Sequence, residues 1–163
     1  MRLKNKIAII MGAGQGPGSV DAIGNGRATA LLFAAEGAKV VISARRNSPT
    51  GLPGTAVETA EQIRAAGGEA MALTCDVANE EQVMAMVGQT IDMYGQIDVL
   101  VNNAGVMVLG KTLLDIVPDE WDQSVETSLK GTYLCCRAVV PTMVEQGRGS
   151  IINIGSRMGS DPE

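Results

Sequence analysis

The stretch 12-GAGQGPGSVDAIGNG-26 places glycines at positions 12, 14, 16, 18, 24 and 26. Glycine lets the backbone turn sharply and lets another group come close to it, so such a run belongs where the main chain itself meets something. The flanking segments suggest what that is. Lys6-Ile7-Ala8-Ile9-Ile10-Met11 is a short apolar run that reads as a buried strand, and 27-RATALLFAAEG-37 reads as a helix stopped by Gly37. A glycine turn between a strand and a helix N-terminus presents unpaired N–H groups and a partial positive charge, an arrangement that binds pyrophosphate. The spacing is not G-x-G-x-x-G, so the glycines alone are a weak signal and their context must carry the reading.

Other reactive residue types are few. The chain has no histidine, which removes Ser-His-Asp, Cys-His and histidine-ligated metal chemistry together. Cys75, Cys135 and Cys136 are odd in number and lack CxxC spacing; they read as buried free thiols, not as a metal site or a disulfide. With 45% hydrophobic residues, 19% charged residues and a net charge of −5, the chain is globular in composition. It has no basic cluster with which to bind nucleic acid or an anionic membrane. The apolar run at 7–11 is far too short for a signal sequence or a membrane span, which leads to the expectation of a soluble, cytoplasmic protein.

The elements that must position the glycines follow from the apolar patterning. The length of 163 residues suits a single domain spanning 1–163. In the first helix Ala28, Leu31, Leu32 and Ala35 fall at i, i+3, i+4 and i+7, which predicts the buried face. The segment 39-KVVISA-44 is a second strand, and the Pro- and Gly-rich 47-NSPTGLPG-54 is a loop. A helix with Ala56, Ala60 and Ile63 on one face precedes a third strand, 70-AMALTCDV-77. Helix 80–93 aligns Val83, Val87 and Ile91 ahead of a fourth strand, 98-DVLVN-102. Pro118 opens a long helix to about Met143, which Pro141 is expected to bend or end, and 149-GSIINIGS-156 is a fifth strand. Alternating strands and helices, with continuously apolar strands, predict an α/β fold. Its sheet is doubly wound (Rossmann-type), parallel and five-stranded, with helices on both faces.

These residues resemble the short-chain dehydrogenases/reductases, along the chain from Leu3 to about Gly159. That family places T-G-x-x-x-G-x-G after its first strand, and two registers fit. Gly12, Gly16 and Gly18 match without a gap. Alternatively, Gly12 (with Gly14) is followed by an inserted flap at 16–23, and Gly24-Asn25-Gly26 completes the motif. The second register is favoured because it puts Gly24 and Gly26 at the helix N-terminus, where the N–H groups point. Met11 replaces the family threonine, a departure expected to loosen the turn. The resemblance also implies that Asp76 and Val77 hold the adenine. In 102-NNAG-105, Asn102 and Asn103 would pair with neighbouring backbone, while Ala104 and Gly105 leave room for the adenosine ribose.

The resemblance further implies hydride transfer between a nicotinamide and an alcohol or ketone. An acid at the end of the second strand would bind a 2′-hydroxyl, whereas an arginine binds a 2′-phosphate. The sequence Ser43-Ala44-Arg45-Arg46 has no acid there, so NADP(H) is expected in preference to NAD(H), with Arg45 the main contact. Ser156 matches the family serine that polarises the carbonyl oxygen. Ser128 stands where the family has an asparagine that holds a proton-relay water. The family's Tyr-x-x-x-Lys belongs about a dozen residues beyond that serine, where the lysine lowers the tyrosine pKa from its usual value of about 10. Tyr133 and Arg137 do not replace it; they precede the fifth strand, and this helical pair reads as packing. The expectation is therefore an N-terminal portion of a longer, homo-oligomeric oxidoreductase. In such a portion strand 149–155 is an unguarded apolar edge, and the C-terminal strands of the fold are missing. A non-catalytic dinucleotide-binding module is the alternative. A methyltransferase of similar fold would not explain the asparagine pair and Ser156 together.

Overall fold

The computed structural model describes residues 1–13, 24–45, 55–108 and 110–156. In chain order the elements are β1 (Ile7–Met11), α1 (Asn25–Ala35), β2 (Lys39–Ala44), α2 (Ala56–Ala65), β3 (Glu69–Thr74), α3 (Glu80–Tyr94), β4 (Val99–Asn102), α4 (Pro118–Val125), a π-helical segment (Glu126–Lys130), α5 (Gly131–Glu145) and β5 (Ser150–Asn153). The strands form one parallel sheet in the order β3-β2-β1-β4-β5. This is the five-stranded, doubly wound architecture expected from the alternation of elements.

Side chains alternate across each strand, so one strand feeds two cores. Ala8, Ile10, Val40, Ile42, Val99 and Val101 pack on the α1/α2 face. Ile9, Met11, Val41 and Leu100 pack on the other face against α3 and α5. Because both faces are covered, the central strands read as continuous apolar runs. Local signals fix the helix ends. Thr55 accepts from Glu58 N at 3.2 Å and Glu58 accepts from Thr55 N at 3.0 Å, a reciprocal cap on α2. Asn79 caps α3 through Gln82 N at 3.0 Å.

Two helical expectations are corrected. In α1 the buried residues are Gly26 and Ala30, while Leu32 is 55% exposed and Ala28 and Ala35 are also exposed. Small residues let the helix lie close to the sheet, and the larger apolar side chains fall to its flanks. Pro141 does not end the long helix, because α5 continues to Glu145 with Pro141 exposed within it. The interruption lies earlier, in the π-helical segment that holds Ser128.

At the opposite end of the sheet from the glycine turn, Asp98 precedes β4 and is only 4% exposed. Its carboxylate accepts from Ile7 N at 2.9 Å, Gln96 Nε2 at 2.7 Å, Lys6 Nζ at 3.1 Å and Arg148 Nε at 3.1 Å. One buried acid thus ties the starts of β1, β4 and β5. Strand β5 is one edge of the sheet, with Ile151 and Ile152 at 37% and 41% exposed and Ile154 just beyond it at 45%, as the apolar-edge reading expects. Among the described residues no helix is long and apolar enough to cross a membrane.

Candidate functional site

The strand order reverses direction between β1 and β4, and in open α/β sheets ligands bind outside the carboxyl ends of the strands at such a point. Gly12 follows β1 there with φ +76°, a conformation that favours glycine. A Cβ on Gly12 would lie 2.6 Å from Ala104 Cα, so the turn also packs directly on the backbone after β4. Asn103 Nδ2 donates to Gly12 O at 2.7 Å. A Cβ on Gly26 would lie 2.5 Å from Gly12 O and 2.6 Å from Asn103 Nδ2. Gly12, Gly26, Asn103 and Ala104 therefore form one closely packed unit. Gly24 differs, since a Cβ there would meet none of the described residues within 4 Å.

Helix α1 starts at Asn25 with Gly24 as its N-cap, without a side-chain cap or an acidic residue in its first turn. Its leading N–H groups and positive dipole end thus suit an anion that approaches beside Gly24. The turn is held from the far side by Ser43, whose carbonyl accepts from Gly12 N at 2.9 Å and Ala13 N at 3.1 Å. Ser43 Oγ donates to the sulfur of buried Met11 at 3.4 Å. With methionine in place of the family threonine, the turn is tied through β2 as well as β4.

The other expected residues occupy the same end of the sheet. Arg45 is exposed just after β2, where Ala44 is buried. Asp76 and Val77 follow β3. The Asp76 carboxylate accepts from Ala78 N at 3.0 Å, while Val77 is buried and lines a shallow crevice with Met11, Ala104 and Gly131. Asn102, 5% exposed, donates from Nδ2 to Asn153 Oδ1 at 2.9 Å and to Cys136 Sγ at 3.4 Å. Asn103 thus pairs with backbone as expected, but Asn102 pairs with side chains and links β4 to β5 and α5. Asn102 Oδ1 is buried without a hydrogen-bond partner among the described residues. Gly105 and Ser156 are exposed. Gly14, Gly16, Gly18, the flap at 16–23, Arg46 and the loop 47–54 lie outside the described residues.

Ser128 Oγ accepts from Val106 N at 3.3 Å, and Ser124 Oγ donates to Val106 O at 3.1 Å. Sequence reasoning singled out neither Ser124 nor Ser43. Their partners are main-chain groups, which residue type does not reveal. Tyr133 is 58% exposed and Arg137 pairs with Glu80 Oε1 at 3.0 Å, so this pair sits on the surface and is not core packing. Cys75 and Cys135 are buried as expected, and Cys136 is half-buried. Burial pushes the Cys75 thiol up to about 11 and the Cys135 thiol up to about 12. A maleimide at pH 8 will therefore spare Cys75 and Cys135 in the folded protein and label all three thiols in denaturant, as read by peptide mass. Native labelling of Cys75 or Cys135 would contradict this packing.

The fold is that of a doubly wound α/β protein with a glycine turn at its switch point, and comparison with known proteins gives the family. The short chain dehydrogenase family matches residues 6–163. The chain is 39% identical over 158 residues to (2S)-[(R)-hydroxy(phenyl)methyl]succinyl-CoA dehydrogenase subunit BbsD of Thauera aromatica, covering 96% of this chain and 57% of that protein. It is 35% identical to the 3-oxoacyl-[acyl-carrier-protein] reductase FabG of Staphylococcus epidermidis, covering 96% and 58% respectively. A metagenomic short-chain oxidoreductase solved in complex with NADP superposes with a TM-score of 0.84 at 35% identity, covering 100% of this chain and 67% of that one. The chain belongs to the short-chain dehydrogenase family, and it spans a little over half the length of the curated relatives it matches.

Proposed function

We propose that the protein is an NADP(H)-dependent oxidoreductase that interconverts an alcohol and a ketone. The observation that carries this reading is the convergence of Gly12, Gly26, Asn103 and Ala104 beneath the uncapped start of α1. The NADP complex of a relative 35% identical in sequence supports the choice of cofactor. On this reading Gly14, Gly24, Asn25 and Gly26 border the pyrophosphate and offer it main-chain N–H groups, while Gly12, whose own N–H is bound to Ser43 O, shapes the turn. Asp76 and Val77 face the adenine, and Asn103, Ala104 and Gly105 border its ribose. The bound cofactor supplies or accepts the hydride. Ser156, just beyond β5, orients the substrate oxygen by a hydrogen bond. The substrate is a small molecule, and the protein works as a cytoplasmic homo-oligomer.

Arg45 sets the cofactor preference. It is exposed at the end of β2, and buried Ala44 stands where an acid would repel a 2′-phosphate. Replacing Arg45 with Glu should weaken NADPH binding about tenfold or more, the scale of a charge-assisted hydrogen bond, while NADH binding is kept or improved. Fluorescence titration with both nucleotides reads the result. An unchanged NADPH affinity in Arg45→Glu would remove Arg45 from the site.

A further inference from the structure

Val106 lies two residues beyond Ala104, which packs on the glycine turn. Its two main-chain polar groups are both engaged by hydroxyls from one helix. Ser124 Oγ, in the last turn of α4, donates to Val106 O at 3.1 Å. Ser128 Oγ, in the π-helical segment, accepts from Val106 N at 3.3 Å. A hydroxyl can donate or accept, and the pair divides these tasks: one serine takes the carbonyl and the other takes the N–H. The Ser128 carbonyl is itself bound by Thr132 Oγ1 at 2.8 Å, which anchors the wide turn. A Cβ on Gly105 would come within 3.6 Å of Ser128 Oγ, so the helix also lies close behind the loop.

We infer that Ser124 and Ser128 form a two-hydroxyl clip on the Val106 backbone and so act as positioning residues for the cofactor turn. The path is continuous: Val106 is fixed, Ala104 then seats against Gly12, and Asn103 reaches Gly12 O. The Ser128 oxygen accepts from protein backbone through one of its lone pairs, and this contact holds the loop. A single carboxamide carries both a donor and an acceptor. Asparagine at position 128 would therefore provide both halves of the clip, and Ser124 would become dispensable. The inference rests on the proposed cofactor role for its binding readout, but the clip itself can be tested without cofactor.

The test compares wild type, Ser124→Ala, Ser128→Ala and the double variant Ser124→Ala/Ser128→Asn, reading NADPH affinity and amide hydrogen exchange at Val106. Each single alanine variant is expected to weaken NADPH binding about 5- to 10-fold, the loss that follows from one hydrogen bond holding the loop. In Ser128→Ala the Val106 amide is expected to exchange about tenfold faster. The double variant is expected to recover NADPH affinity to within about twofold of wild type, a non-additive rescue that a merely structural serine would not give. Wild-type affinity in both single variants, or no rescue by asparagine, overturns the inference. Val106 exchange in wild type needs no variant, so it decides the matter even if the alanine variants do not fold: slow exchange supports the clip and exchange at the rate of an open loop refutes it. If wild type fails to bind NADPH while Val106 stays protected, the cofactor reading fails and the clip stands.

Discussion

Gly26→Ala will cost both stability and cofactor affinity, although alanine normally improves a helix. In an unconstrained helix position the change gains roughly 0.5–1 kcal/mol. Here the added Cβ would lie 2.5 Å from Gly12 O, 2.6 Å from Asn103 Nδ2 and 2.9 Å from Ala13 Cα. Two of the three are backbone atoms, and the third is a short amide already bonded to Gly12 O, so none is the free end of a flexible side chain. Overpacking of this kind costs about 1–3 kcal/mol, which outweighs the helix gain. The turn must open to relieve it, and opening separates the groups that would cradle the pyrophosphate. The expected result is a net loss of about 1–2 kcal/mol by urea unfolding and a fall in NADPH affinity of at least about tenfold. Gly24→Ala is the contrast. Its Cβ meets none of the described residues within 4 Å, so stability should change only by the modest N-cap preference, up to about 1 kcal/mol. Affinity should fall because the added methyl stands where the ligand approaches. A Gly26→Ala variant as stable as wild type would contradict the packed turn.

Asp98→Ala is expected to be the most destabilising polar substitution. The carboxylate is 4% exposed and bound by Ile7 N, Gln96, Lys6 and Arg148. Removing it leaves a buried N–H without its partner and releases the starts of three strands. Lys6 and Arg148 are 42% and 51% exposed, so water can take up their charges, which keeps the cost below that of a fully buried pair. About 2–4 kcal/mol is expected. The same group makes stability depend on acid. Burial opposes the charge of Asp98, but the Ile7 N–H and the side chains of Lys6 and Arg148 outweigh it and hold the carboxyl below its usual range. A carboxyl with a lowered folded pKa contributes stability above its unfolded value, near about pH 4, and that contribution disappears as pH falls through the folded value. Urea unfolding from pH 7 to pH 2 should therefore show a flatter acid limb in Asp98→Ala than in wild type. Parallel limbs would show that Asp98 is not an acid-sensitive tie.

The fold was legible because strands buried on both faces leave unbroken apolar runs, as in Ile7–Met11 and Lys39–Ala44, and because glycines mark the turns between them. Gly26, which the helix N–H groups single out, packs on Gly12, while Gly16 and Gly18 of the other register lie outside the described residues. Side-chain hydrophobicity misled for α1, where the face against the sheet is built from Gly26 and Ala30 and where Leu32 points outward. The π-helical segment has no proline or glycine inside it to announce it, and exposed Pro141 drew attention to the wrong place. Asp98 read only as the first residue of a strand, because its partners Lys6 and Arg148 lie 92 and 50 residues away. Ser43, Ser124 and Ser128 act through main-chain groups, and only the fold brings those groups to them.

The most direct test of the account is calorimetric titration of the wild-type protein with NADPH and with NADH. The glycine turn and Arg45 predict saturable binding of NADPH, with an affinity about tenfold or more above that for NADH. Binding of neither nucleotide, or tighter binding of NADH, would contradict it.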